Sequence, residues 1–318
     1  MKSNTLDIAI NHACKLLKNG DLVVIPTETV YGLAADATND QAVTKIYELK
    51  NRPSFNPLIM HVADTYQAEK WAHFSPLAYM LAETFWNSNY HHRPLTLVLN
   101  RKKDTSLSHL AMAGLDTVAV RVPNHPIPLK LLKRFQKPLA APSANRSNHI
   151  SPTSTEAVKE SFGTRTPFML DGGVCSVGLE STIIDLTTDE PVLLRPGGTT
   201  KEEIEKVIGV SLKISTSSSC IKAPGMLKRH YAPVHPLRLN VVDPLDGEVL
   251  LGFGPQSPSD ATLNLSETGD LREAAANLFH MLRILDQSTS KGIAVMPIPN
   301  HGLGLAINDR LKRAASLE

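Results

Sequence analysis

Pro26-Thr-Glu-Thr-Val-Tyr-Gly-Leu33 follows directly on the apolar run Asp21-Leu-Val-Val-Ile25 and precedes Lys50-Asn-Arg52-Pro53 by some seventeen residues. The β-branched run, ended by a proline, reads as a buried strand closing into a loop. Thr38 and Asn39 then offer helix N-caps, and Ala42, Val43, Ile46 and Leu49 recur at helical spacing until Pro53 forbids continuation. The hydroxyl-rich stretch is therefore expected where a strand hands over to a helix. Open α/β sheets commonly place a ligand there.

Lys50 and Arg52 stand at the end of that helix. Cations at a helix C-terminus complement its macrodipole for about 0.3–1 kcal/mol, which alone would account for them. The next segment, Asn56-Pro-Leu-Ile-Met-His61-Val62, reads as a second short strand with a histidine inside an apolar run. Such a histidine is ordinarily a satisfied core residue. Two cations, the hydroxyls of Thr27, Thr29 and Tyr31, and a histidine converging from one unit are harder to explain as packing.

At 318 residues the chain exceeds the usual size of one domain, and one large plus one smaller domain is the natural prior. A hydrophobic content of 42% with 20% charged residues fits a globular protein. The net charge of +2 argues for no nucleic acid by itself. Cys14, Cys175 and Cys220 form neither a CxxC pair nor a Cys/His ligand pattern and read as reduced thiols. No apolar run approaches the ~20 residues that span a bilayer, and the N-terminus lacks an apolar leader, so a cytoplasmic protein is expected.

Outward from the opening stretch, a helix with Leu6, Ile10, Ala13, Cys14 and Leu17 on one face stops at Gly20. Residues 66–90 read as helical with a break at Ser75-Pro76, and 94–99 as a strand. Thr117-Val-Ala-Val-Arg121-Val-Pro123 is a β-branched strand whose arginine must either reach solvent at a sheet edge or meet an anion. After a helix over 129–135, Pro138-Leu-Ala-Ala-Pro-Ser-Ala-Asn145 is a strand opening into Ser143 and Asn145, which point the same way on extended backbone. Residues Asn148–Thr153 continue that loop and cap the next helix.

Residues 178–185 and 191–198 read as paired strands, the second ending Arg195-Pro-Gly-Gly198, where side chain and backbone together suit a phosphate. Thr200-Lys-Glu-Glu203 is a capping box, and Gly209 ends its helix. The Ser/Thr-rich stretch Ser211–Cys220 marks a linker. Its continuation, Ala223-Pro-Gly-Met-Leu-Lys-Arg-His-Tyr-Ala-Pro233, is too dense in specific polar groups for a bland hinge. Strands at 237–242, 247–252 and 292–296, with helices at 271–285 and 303–314, make a small α/β domain.

In combination these motifs closely resemble the YrdC family. The resemblance rests on Pro26–Leu33, Lys50-x-Arg52, Asn56-Pro-Leu before His61-Val, Arg121-Val-Pro, Pro142-Ser-Ala-Asn145, Ser151-Pro-Thr, Ser181-Thr and Arg195-Pro-Gly-Gly. It extends through Pro224-Gly-Met…Arg229-His-Tyr-Ala-Pro233 and the trailing domain. It implies an α/β fold: a YrdC-like twisted-sheet domain at 1–209 with the site on its concave face, a linker at 210–236 read as an active-site lid, and a small Rossmann-like domain at 237–318. It further implies a threonylcarbamoyl-adenylate synthase, using L-threonine, bicarbonate and ATP with Mg²⁺ toward N6-threonylcarbamoyladenosine in tRNA. A downstream threonylcarbamoyl-transferase complex is the implied partner. Carried over position by position, Thr29, His61, Arg121, Ala141 and Ser181 match residues that hold threonine. Arg52, Asn56, Thr117, Ser143, Ser151, Arg195 and Tyr231 match those that hold ATP, with Lys50 and Asn145 near the phosphates. Lys50 and Arg52 are the expected catalytic pair; the resemblance puts Lys50 and Asn145 close to the metal as well as the phosphates and leaves the metal's ligands open. Asn148 departs from a glycine frequent in the family.

The chemistry fits those residues. A carbamate formed from an amine and bicarbonate is unstable, so it must be kept dry and delivered quickly to the α-phosphorus. Attack there with loss of pyrophosphate calls for position and charge neutralisation, which Lys50, Arg52, Arg195 and Mg²⁺ would supply. Arg121 suits bidentate pairing with the threonine carboxylate. No GxxxxGK[ST] is present, so ATP is not expected on a Walker loop. Two other readings stay open: carbamoyl transfer to another acceptor, and a double-stranded RNA-binding module. Too few cysteines for a zinc-finger region count against the first. Near-neutral charge and the lack of an aromatic stacking motif count against the second, so direct RNA contact is expected to be weak.

Overall fold

The protein is described from a computed structural model, which covers residues 3–86, 93–103, 105–215 and 223–316. The chain runs α1 (Ser3–Lys18), β1 (Val23–Ile25), β2 (Gly32–Asp36), α2 (Asp40–Lys50), β3 (Ile59–His61), α3 (Thr65–Ala68), α4 (Pro76–Phe85), β4 (Leu95–Asn100) and β5 (Thr117–Arg121). It continues with α5 (Pro126–Phe135), β6 (Leu139–Ala140), α6 (Thr155–Phe162), β7 (Phe168–Met169), β8 (Thr182–Asp185), β9 (Val192–Arg195), α7 (Lys201–Ile208) and β10 (Lys213–Ile214). These strands form one mixed sheet in the order β10-β9-β8-β4-β5-β3-β6-β2-β1-β7. The C-terminal part contributes β11 (Leu237–Leu239), β12 (Glu248–Gly252), β13 (Leu263–Asn264), α8 (Leu271–Asp286), β14 (Gly292–Val295) and α9 (Leu303–Ala315). Its sheet, β11-β14-β12-β13, is parallel throughout.

Helix boundaries follow capping chemistry. Asn39 accepts from the amides of Gln41 and Ala42 to start α2, and Ser75 caps α4 ahead of Pro76. The capping box at Thr200 and Glu203 is formed, and Gly209 ends α7 in the left-handed region. The helix after the Asn148–Thr153 loop is capped by Ser154, one residue later than expected.

Unequal coverage of the large sheet positions the site. Side chains of α2, α4, α6 and α7, among them Val43, Ile46, Leu81, Phe85, Val158 and Ile204, pack with Leu33, Met60, Leu97, Val120 and Ile184 on one face. On the other face α1 and α5 pack Ile10, Leu17, Leu131 and Phe135 over Val23, Ile25, Ala34 and Leu139, strands at one end of the sheet. That leaves the same face of β3, β5, β4, β8 and β9 to Ile59, Ala119, Val98, Ile183 and Leu194. These are covered by Ala223 and Met226 of the linker. The C-terminal domain packs against this end through a core that joins Leu278, Phe279 and Ile307 to Val30, Ile150, Leu179 and Tyr231. Gly178 permits the approach. At φ +74° it sits where a Cβ would lie 2.5 Å from the backbone of α8.

Two expectations change. Residues 26–31 do not pass from strand to helix, because β2 intervenes and pairs antiparallel with β1, Ile25 opposite Gly32. Arg121 lies on a central strand between β3 and β4, which removes the sheet-edge explanation. The large sheet also runs on past Gly209 to β10. Much of the Ser211–Cys220 stretch, Cys220 included, lies outside the described residues; Cys14 and Cys175 are buried free thiols. Among the described residues no helix is long and apolar enough to cross a membrane.

Candidate active site

The loop between β1 and β2 is held by its own hydroxyls. Thr27 Oγ1 accepts from the amides of Thr29 and Val30 at 3.2 Å each, and the Thr27 and Thr29 hydroxyls lie 2.8 Å apart. Thr29 is thereby presented to β5, where Arg121 Nη2 donates to its Oγ1 at 2.9 Å and to Glu28 Oε1 at 2.6 Å. The pairing is buried on both sides, yet Arg121 Nε and Glu28 Oε2 have no partner. His61 lies beside Arg121 in the β3–β5 register and turns Nδ1 to Ile59 O at 3.3 Å. The amide of Ala141 donates to the same Ile59 carbonyl, placing Ala141 at this end as well.

A second cluster forms where α2 ends. Asn51 takes the left-handed conformation that closes the helix, so Lys50 and Arg52 project on either side of the turn. Lys50 Nζ donates to Ser143 O and Asn145 O, both at 2.5 Å, and lies 3.4 Å from Asn145 Oδ1. Arg52 donates from Nε to Asn56 O at 3.1 Å and from Nη2 to Pro57 O at 2.9 Å. The Asn56 side chain is wholly buried, with neither its Oδ1 nor its Nδ2 partnered. Arg195 binds Ser181 O at 3.1 and 2.8 Å, Ser181 Oγ at 3.2 Å and Pro224 O at 3.2 Å. Lys50, Arg52 and Arg195 are thus all buried, and they donate to carbonyls and one hydroxyl. Among the described residues none makes an ion pair with a carboxylate. Uncompensated buried charge costs several kcal/mol, so an anion here is strongly favoured.

The far end carries the remaining residues. Thr117 shares a face of β5 with Arg121 four residues away, roughly 13 Å along the strand. Ser151 Oγ donates to Glu180 Oε1 at 2.6 Å. Tyr231 is buried with its hydroxyl unpartnered, and it lies close to Arg195, since a Cβ on Gly225 would meet Tyr231 Oη at 2.9 Å and Arg195 Cδ at 2.8 Å. Asn148 adopts φ 68°, a conformation asparagine tolerates, and its carbonyl accepts from Ala232 N at 2.7 Å. The turn that glycine would make is kept, and it ties this loop to the linker. A cleft of about 680 Å³ lined by Gly254, Ser257, Asn264 and Met281 belongs to the C-terminal domain and shares no residue with this constellation.

The structure therefore groups Thr29, His61, Arg121 and Ala141 at one end. Lys50, Arg52, Asn56, Ser143 and Asn145 lie around the α2 terminus, and Ser181, Arg195 and Ser151 lie where the linker brings in Tyr231. Thr117 stands apart, half-buried at the start of its strand. Sequence reasoning assigned no role to Glu28, Glu180 or Arg310, which neutralise arginines or are neutralised from distant positions. An acid inside the hydroxyl-rich loop was the one local signal, for Glu28.

Burial sets the protonation states. It lowers the Lys50 ammonium well below the ordinary lysine range, with Arg52 adding repulsion, and brings Arg52 down to about 10. Burial would raise Glu180, but Arg310, Arg195 and the Ser151 hydrogen bond outweigh it and hold the carboxyl at about 2. His61 and His230 are pushed down to about 3, each chiefly by burial, with nearby cations adding to it. Both are neutral when folded but bind protons in the unfolded chain below about 6.5. Their contribution is therefore complete above that pH and is lost as the pH falls toward 3. At pH 5 each histidine accounts for about 2 kcal/mol of lost stability. Urea unfolding at pH 7 and pH 5 should show this loss, to which His125 and His149, also lowered by burial, add; His61→Gln should reduce it by about 2 kcal/mol, and an unchanged difference would count against a neutral buried His61.

Paired basic and hydroxyl groups on a half-covered sheet face, closed over by a linker, define an α/β enzyme that handles an anionic small substrate. A family model described as telomere recombination matches residues 15–197, and that of the threonylcarbamoyl-AMP synthase C-terminal domain matches 199–316. The threonylcarbamoyl-AMP synthase of Pyrococcus abyssi is 42% identical over 96% of this chain and 94% of its own length, and that of Bacillus subtilis 40% over 98% and 94%. The crystal structure of the P. abyssi protein complexed with L-threonine superposes with a TM-score of 0.86, covering 96% of this chain and 94% of that one. The chain belongs to the threonylcarbamoyl-AMP synthase family, in its two-domain form.

Proposed function

We propose that this chain is an L-threonylcarbamoyladenylate synthase, which condenses L-threonine, bicarbonate and ATP to threonylcarbamoyl-AMP with release of water, as the amine and bicarbonate form the carbamate, and of pyrophosphate. The observation that carries the reading is the trio Lys50, Arg52 and Arg195: buried cations with no carboxylate ion pair among the described residues, beside the unpartnered Asn56 carboxamide and Tyr231 hydroxyl. A triphosphate is the ligand that compensates them.

In this reading Thr29, Arg121, His61, Ala141 and Ser181 hold threonine. Glu28 fixes one edge of the Arg121 guanidinium and leaves Nε for the substrate carboxylate. Neutral His61 adds no charge beside the amine that must attack bicarbonate. The carbamate oxygen then attacks the α-phosphorus, and Lys50, Arg52 and Arg195 neutralise the charge developing on the departing pyrophosphate. Asn56, Thr117, Ser143, Asn145, Ser151 and Tyr231 place the nucleotide. Mg²⁺ enters with ATP, and the Asn145 carboxamide beside Lys50 suits an ion coordinated mainly by phosphate oxygens. The linker keeps water from the carbamate. The adenylate passes to a transferase acting on tRNA, in the cytoplasm.

Pyrophosphate release is the test. It should require both L-threonine and bicarbonate and should fall sharply with serine in place of threonine. Release indifferent to threonine would point to carbamoyl transfer on another acceptor.

A further inference from the structure

We propose that Arg310, on the last helix of the C-terminal domain, is a positioning residue for the nucleotide half of the site, so that the C-terminal domain completes the active site of the large domain. The inference rests on the synthase reading and assigns that domain a task within it.

Arg310 is 1% exposed although it carries a full charge. Its donors diverge: Nε to Glu180 Oε2 at 2.7 Å, Nη1 to Asp309 Oδ2 at 2.6 Å and Nη2 to Pro196 O at 3.0 Å. Each of the two long-range bonds reaches a part of the site. Glu180 uses its other oxygen to accept a hydrogen bond from the Ser151 hydroxyl at 2.6 Å, which orients that hydroxyl. Pro196 follows Arg195 directly. In addition, the guanidinium carbon lies 5.0 Å from the centre of the Tyr231 ring, which stacks at 5.6 Å on Phe279 of α8. Tyr231 has φ 62°, a conformation that tyrosine holds only where its surroundings impose it. One planar cation thus touches the Arg195 segment and the Tyr231 ring directly and reaches Ser151 through Glu180. Lysine at this place would keep the charge and lose the fork.

A clamp that merely joined the domains would also use a buried ion pair, so the test must separate positioning from stability. In the full-length protein, Arg310→Lys should raise KM for ATP about tenfold while KM for threonine stays within twofold. Calorimetric titration with ATP should show the same tenfold weakening independently of turnover. Should Arg310→Lys not fold, the double variant Glu180→Gln/Arg310→Met, which leaves no charge unpaired, should show the same selective loss for ATP. Unchanged ATP affinity in a folded variant, or equal losses for ATP and threonine, would overturn the proposal. A wild-type chain that binds ATP without threonine-dependent pyrophosphate release would instead count against the synthase reading.

Discussion

Arg52→Ala should lower pyrophosphate release about 10³-fold while leaving Tm within a few degrees of the parent. The two effects separate because of where the guanidinium spends its hydrogen bonds. In the folded protein Arg52 donates to the carbonyls of Asn56 and Pro57 and meets no carboxylate. Removing it orphans the Pro57 carbonyl, a loss of about 1–3 kcal/mol for a buried group left unsatisfied, while the Asn56 carbonyl keeps the Tyr47 hydroxyl at 3.2 Å. It also relieves a buried cation whose ionisation burial already disfavours, worth several kcal/mol in the other direction. Stability is therefore nearly balanced. Turnover is not, since one preorganised donor facing developing charge contributes about 10²–10³ in rate and Arg52 offers two. A fall in Tm of ten degrees or more would show that Arg52 is there to hold the turn after α2.

Arg121→Met should cost both turnover and stability, the latter by about 3–5 kcal/mol, because it strands Glu28 as an unpaired buried carboxylate. Adding Glu28→Gln should restore most of that stability, since a neutral amide of the same shape replaces the charge. Threonine-dependent turnover should stay lost in the double variant, because no guanidinium remains for the substrate carboxylate. Chemical denaturation and threonine saturation curves on the single and double variants check both halves. Recovery of activity in the double variant would remove Arg121 from threonine binding.

Much of this was readable where the signal is local. Asn39, the Ser75-Pro76 break and the Thr200–Glu203 box act within one helical turn, so they mark helix ends in any context. The C-terminal alternation of strands and helices was legible because β14 and the end of β12 are buried apolar runs followed by, or following, long amphipathic helices. Gly32-Leu-Ala-Ala-Asp36 was not, because it contains no β-branched residue. It is a strand only through pairing with β1 on one side and β6 on the other. The two-residue strands β7, β10 and β13 are likewise products of tertiary pairing. In the site, hydroxyls and cations clustered along the chain announced themselves. Glu28 and Arg121 are 93 residues apart, and Glu180 and Arg310 are 130 apart, so nothing in either neighbourhood points to the partner.

The most direct test of the account is to incubate the full-length protein with ATP, Mg²⁺, L-threonine and ¹³C-bicarbonate and to look for the product by mass spectrometry. The account predicts an adenylate bearing threonine and a single ¹³C, formed with one pyrophosphate and absent when threonine or bicarbonate is withheld. Pyrophosphate released without such an adenylate, or an adenylate lacking the label, would contradict it.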